Sequence, residues 1–455
     1  MIAGYPENAS VWPGTQLVLR IATDAPRFRV AFFRWGDGLT QVSVSDWLDG
    51  QAAPPRAPDE DWDWPAYHFA VPPDWPSAVY LAQLQIPGAA PLDLAQRNGA
   101  LLFVVRGHAS GGLLYKLPLA TYHAYNHSGG GCFYDNQPRS HTPPGSKLSF
   151  QRPGGGIGGT TWGAPDYYDA SSARQTFAHW DARFIRWLSR AGYTPTFCTD
   201  LDIHDDPRLC ARHRLLLSVG HDEYWSEATR DHVEAFVTQG GNVAFFSANL
   251  CWWRIHLVDQ GRAMVCHQGG KQGALDHWWP HSGAARPEDA LGGVSYRHGG
   301  GWWDGPRAGT GYLVQHPEHW AFAGTGLGFG DAFGRDSAPP LVGYECDGVP
   351  LASFDSVSGA AQLASSAAET GTPASFLLLA ASLLDQRWQE RPPCERHPGG
   401  EGIHAAAMGM FTRGGTVFTA GTTDWAQVLD SGQDRQVDLI TRNVIERLLG
   451  PGVPA

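Results

Sequence analysis

Apolar and polar positions alternate with a period of two along the opening stretch of the chain, then change period. Gln16-Leu-Val-Leu-Arg-Ile-Ala, Arg27-Phe-Arg-Val-Ala-Phe-Phe-Arg and Ala78-Val-Tyr-Leu-Ala-Gln-Leu read as half-buried strands, and Ala100-Leu-Leu-Phe-Val-Val-Arg closes the set. With Pro-rich turns between them, these predict a small all-β, immunoglobulin-like sandwich over residues 1–108. From Leu113 onward strand patterns alternate with helical ones. Leu113 to Tyr125 is strand-like, and Ser171 to Ala191 reads as a helix with Phe177, Trp180, Phe184, Trp187 and Leu188 on one face. Tyr193 to Cys198, Leu215 to Val219, Asn242 to Ala248 and Gly415 to Gly421 are short apolar runs. Between the middle two lies a helix capped by Ser226, with Ala228, His232, Ala235 and Phe236 at helical spacing before Gly240-Gly241; Val437 to Leu449 closes the chain as another. The alternation predicts an α/β fold over 109–455 with a parallel, doubly wound sheet. Residues from about 255 to 405 break the rhythm with Gly299-Gly-Gly-Trp-Trp and Thr325-Gly-Leu-Gly-Phe-Gly, and read as a long irregular insertion packed over that sheet.

Composition narrows the class. A chain of 455 residues forms more than one core, and 56 glycines, 19 tryptophans and only 17% charged residues make it loop-rich and aromatic. The net charge of −12, with no basic run, argues against nucleic acid and anionic membrane surfaces as partners. The 7 cysteines form no CxxC pair and suit a reducing compartment. The opening Met1-Ile-Ala-Gly-Tyr-Pro lacks a signal-peptide pattern and no apolar window is long enough to span a bilayer, so a cytoplasmic location is expected. Trp47, Trp62, Trp64 and Trp75 form either a sugar-stacking face or ordinary sandwich core.

Candidate chemistry collects at the ends of the predicted strands. Tyr125 and Asn126 end the first, His221 and Glu223 follow the third, Asn249 ends the fourth, and Asp424 follows the last. In a parallel sheet these tips share one rim, where ligands bind. The turn after Leu215–Val219 carries His-Asp-Glu and no Ser or Cys nucleophile, which favours metal-activated water or acid–base catalysis over a covalent intermediate. The bland readings stand beside these: Tyr125 as a core phenol, Asn249 as a strand-end cap, and Glu223 and Asp424 as helix caps. The glycine run at 154–159 reads as a turn, since no GK[ST] or Gly-x-Gly-x-x-Gly follows a strand.

Thr121-Tyr-His-Ala-Tyr-Asn, Gly220-His-Asp-Glu-Tyr-Trp-Ser, Phe246-Ser-Ala-Asn and Gly421-Thr-Thr-Asp-Trp resemble, in that order, the carboxy-terminal catalytic region of the N,N-dimethylformamidase large (beta) subunit family. Arg186-Trp-Leu and Thr199-Asp-Leu-Asp fit the same pattern, so the resemblance covers about residues 113–450. It implies a glutamine-amidotransferase-like α/β domain that hydrolyses the C–N bond of a small or substituted amide. It further implies a mononuclear ferric ion, Fe(3+), held by two tyrosinates and a glutamate. Tyr125 and Glu223 match two of these ligands; Tyr168 is the choice for the second tyrosine, with Tyr167 and Tyr134 behind it. His221 and Asn249 match catalytic positions beside the metal, and Asp424, the third catalytic candidate, stands where the family has an acidic residue. Phenolate and carboxylate are hard anionic donors suited to such an ion. The resemblance also implies a small-molecule amide substrate and leaves open a homo-oligomer and a small partner subunit. A metalloenzyme of another reaction class and a non-catalytic, carbohydrate-binding relative are the alternatives.

Overall fold

The computed structural model describes residues 1–134, 146–163, 165–269, 274–279, 285–303, 305–307, 310–388 and 402–450. The chain divides into two units. The first takes residues 1–109, 115–206 and 255–275; the second takes 110–114, 207–254 and 276–455.

The first unit opens with two sheets. Ile2–Pro6, Gln16–Thr23 and Ala66–Ala70 make an antiparallel three-stranded sheet, and Ser10–Val11, Ala100–Val105, Ala78–Gln85, Arg27–Trp35 and Leu39–Val44 follow one another in the other. The period of two in the sequence is what buries them. Leu17, Leu19 and Ile21 from one sheet meet Phe28, Val30, Phe32, Tyr80, Leu101 and Phe103 from the other in a single apolar cluster. Trp62 and Trp64 are buried in the core, and Trp75 is half-buried against it, stacked on Tyr80 at 4.7 Å between centroids. Beyond the sheets, the predicted helix over 171–191 is shorter than its pattern. Only Asp181–Ala191 is helical, closed by Gly192 in the left-handed conformation at φ 87°. Phe177 and Trp180 are buried ahead of it in turns.

In the second unit the strands run in the order Leu215–His221, Asn242–Ala248, Gly415–Thr419, Ala405–Arg413, Leu377–Leu383, Tyr312–Val314 and Ala332–Phe333. The first three are mutually parallel. Helix Glu227–Thr238, with the Ser226 hydroxyl accepting from the Thr229 N–H, supplies the crossover between the first two. Every later pairing is antiparallel.

The expected parallel, doubly wound, glutamine-amidotransferase-like sheet is therefore overturned. Among the described residues 34% are in strands and 19% in helices, and the sheets are mixed or antiparallel. The physical reason lies at Gly414. Arg413 pairs directly with Gly415 across this one residue, at φ 79°, and so tight a reversal permits only antiparallel neighbours, since a parallel crossover needs a dozen residues or more. The stretch expected to be an irregular insertion also contributes strands to the sheets. Among them, Ser295–Gly301 and Glu345–Gly348 pair antiparallel and are buried throughout.

Candidate active site

Strand Leu215–His221 lies in register with Asn242–Ala248, so that His221 faces Ala248 and the following Asn249 emerges beside it. Both strands finish in conformations that ordinary residues avoid. Gly220 has φ 71°, Asn249 φ 50° and Cys251 φ 52°. Backbone bonds lock this end: the Cys251 N–H donates to the Asp222 carbonyl and the Trp253 N–H to that of Glu223, each at 2.9 Å. Asp222 is structural. Its carboxylate accepts from the Ser218 hydroxyl at 2.5 Å and from the Trp225 indole N–H at 3.0 Å.

His221 Nε2 stands 2.7 Å from Glu345 Oε2 and 3.5 Å from Glu223 Oε2, all three side chains buried. Asn249 Nδ2 is 3.2 Å from His221 Nε2 and 3.3 Å from Glu345 Oε2. When Nε2 carries the proton it donates to Glu345, and the Asn249 amide then serves the same carboxylate. Asn249 Oδ1 is buried with no hydrogen-bond partner among the described residues. Burial pushes the His221 pKa down, but the charges of Glu345 and Glu223 outweigh it, and the net shift is upward from 6.5.

Asp347 follows two residues after Glu345 on the same strand. Its two oxygens accept the N–H groups of Asn249 at 2.9 Å and Leu250 at 3.1 Å, which holds the left-handed turn in place. Burial, opposed by those two bonds and aided by the charges of Glu288 and Glu345, raises its pKa from 3.8 to about 7. Two buried carboxylates, Glu345 and Glu223, thus face one imidazole, and a third, Asp347, braces the turn beside it.

Asp424 has another kind of place. It pairs with Arg307 at 2.6 Å, both side chains fully buried, and accepts the Tyr344 N–H at 3.1 Å. It begins helix Trp425–Ser431 without a side-chain cap bond. Around it, Thr422 and Thr423 hydroxyls accept the N–H groups of Gly343 and Glu345, and the Gly421 carbonyl accepts that of Asp347. The Gly421–Asp424 motif is the bracket on which the Glu345 strand hangs.

The first unit carries the tyrosines. Tyr125 ends helix Leu119–Ala124, and its hydroxyl donates to that of Tyr134 at 2.8 Å, with the rings stacked at 4.4 Å. Fully buried Arg152 fixes this turn, donating to the carbonyls of His123, Asn126 and Ser128 at 3.2, 2.9 and 2.7 Å; burial lowers its pKa to about 10. Tyr168 is half-buried, its backbone N–H bound to Asp166 Oδ1 at 2.7 Å and its ring edge-on to exposed Tyr167.

His221, Glu223 and Asn249 are thus together in one cluster, and Asp424 stands behind it. Sequence reasoning missed Glu345, Asp347 and Arg307. The signal for the first two was two acids at alternate positions of a short apolar strand, Tyr344-Glu-Cys-Asp-Gly-Val, which places both on one face.

A family model described as "N,N-dimethylformamidase beta subunit-like, C-terminal" matches residues 29–438. Two curated relatives, each an N,N-dimethylformamidase beta subunit, one from Alcaligenes sp and one from Paracoccus aminophilus, are each 25% identical over 333 residues. The match covers 65% of this chain and 41% of each relative, so the chain spans about two fifths of their length. With residues 29–438 inside the family model, the chain belongs to the N,N-dimethylformamidase beta subunit-like family, in that family's C-terminal region.

Proposed function

We propose that the protein hydrolyses the C–N bond of a small, substituted amide, using the buried His221–Glu345 pair to move protons. The observation that carries this reading is the 2.7 Å contact between His221 Nε2 and Glu345 Oε2, with Asn249 beside both. Hydrolysis needs one proton taken from water and one given to the departing nitrogen. In our reading Glu345 receives the proton from the attacking water, and His221, held in position by Glu345, delivers one to the amine as the C–N bond breaks. Asn249 Oδ1 accepts a hydrogen bond from that water.

Iron is carried forward as part of the proposal. The donor chemistry fits a hard cation: the hydroxyls of Tyr125 and Tyr134 lie 2.8 Å apart, and Glu223 belongs to a cluster with surplus buried negative charge. In the first unit Tyr125 would hold the ion, and its contact with Tyr134 favours that residue over Tyr168 as the second phenol. When bound, a ferric ion would polarise the amide carbonyl and acidify water. A small partner subunit is proposed from the naming of both relatives as beta subunits.

The test is release of formate and dimethylamine from N,N-dimethylformamide by the iron-reconstituted chain. Glu345→Gln is expected to lower turnover by roughly 10²- to 10⁴-fold. A wild type that releases neither product, or a Glu345→Gln variant with unimpaired turnover, overturns the proposal.

A further inference from the structure

The antiparallel ladder that carries Glu345 also sets an aromatic wall beside it. Gly301 pairs with Glu345, and directly opposed residues of such a ladder project to the same face. A Cβ built on Gly301 would stand 2.6 and 2.7 Å from Cζ2 and Cη2 of Trp303. The indole therefore folds back over Gly301, on the face toward which the Glu345 side chain projects. Only the missing side chain at 301 makes room for it. The Trp302 N–H donates to the Tyr344 carbonyl at 2.8 Å and ties the two segments together.

Tyr344 completes the wall. Its ring lies 5.1 Å from that of Trp303 at 76°, and 6.4 Å from the His221 imidazole at 90°. The Tyr344 ring is buried while Trp303 is half-buried, so the indole is the outer face of this surface. Two large apolar rings beside a proton-moving pair make unlike demands on the two ends of a substrate. The carbonyl carbon must reach the polar groups. Whatever hangs on the nitrogen meets carbon, and N–H groups placed there would lose their hydrogen bonds.

We infer that Trp303, backed by Tyr344, selects amides alkylated on nitrogen by burying their N-alkyl groups against the indole; this rests on the amide-hydrolase reading above. A single buried methyl or methylene changes kcat/KM by about 10- to 200-fold in an apolar pocket. Trp303 touches no proton in the reaction, so its removal acts on the ranking of substrates.

The experiment measures kcat/KM for formamide, N-methylformamide and N,N-dimethylformamide with the iron-reconstituted full chain and its Trp303→Ala and Trp303→Phe variants. In Trp303→Ala the preference for the dimethylated over the unsubstituted amide, read as the ratio of their kcat/KM values, is expected to fall by at least ~10-fold. Trp303→Phe, which restores a ring, is expected to recover much of that preference. If the wild type is active and Trp303→Ala lowers all three substrates in parallel, the wall is refuted and the hydrolase stands. If the wild type cleaves none of the three, the hydrolase reading falls and takes this inference with it.

Discussion

The Asp424–Arg307 pair offers a sharp test of how the site is supported. Both side chains are fully buried, 2.6 Å apart, and Asp424 also receives the Tyr344 N–H, one residue before Glu345. A Cβ on Gly343 would lie 1.8 Å from Asp424 Oδ2, so the carboxylate is packed hard against the segment it holds. Asp424→Asn keeps the shape and removes the charge that faces the buried Arg307 cation. Breaking a buried pair from one side costs about 3–5 kcal/mol. For a cooperative unit of ~200 residues that corresponds to a fall of roughly 6–20 °C in Tm, at ~2–4 °C per kcal/mol. The double variant Asp424→Asn/Arg307→Met replaces the buried cation with an apolar chain of similar length, and is expected to regain most of the loss. Urea and thermal unfolding of the wild type, single and double variants measure this directly. A single variant within ~1 kcal/mol of wild type, or a double variant no more stable than the single, would refute the bracket role and return Asp424 to the list of proton-transfer groups.

Other outcomes follow from the same geometry. Because the folded pKa of Asp347 is raised to about 7, its protonated form stabilises the fold fully below pH ~4, and that contribution disappears as pH rises through 7. The difference is on the order of 4 kcal/mol, so urea unfolding between pH 4.5 and 7.5 should show a decline that Asp347→Asn flattens; an unchanged slope in the variant rejects the assignment. Arg297 bridges Glu288 at 3.1 Å and Asp289 at 3.0 Å, all buried, and Arg297→Met should destabilise by several kcal/mol because two carboxylates are then left in the core; a loss below ~1 kcal/mol counts against it. Glu223→Ala should lower iron content while leaving Tm nearly unchanged, whereas retained iron with a lowered Tm would show that Glu223 serves the fold alone.

What the sequence makes legible here is what a short stretch determines by itself. The apolar run 215–219, the positive-φ glycine after it and the capped helix beyond form one local unit, so His221 and Glu223 could be placed at a strand end from their neighbours alone. Asn249 followed from the next run by the same logic. The sheet's direction did not, because an apolar strand buried on both faces reads alike beside parallel and antiparallel neighbours. Only the reversal at Gly414 distinguished them, and its strand Ala405–Arg413 is rich in alanine and weak in β-propensity. Glu345 was hidden by a different cause. Its strand has four residues, and its partner is Ser295–Gly301, whose three consecutive glycines argue against a strand when taken alone. Those glycines belong there for close approach. A Cβ at Gly299 would stand 1.7 Å from the Cys346 carbonyl oxygen, and one at Gly300 would stand 2.1 Å from that of Trp388. The feature that makes the segment look irregular in sequence is the one that lets it pack against the Glu345 strand. The half of the site set by local turn chemistry could therefore be read directly, and the half set by pairing between residues some fifty positions apart could not.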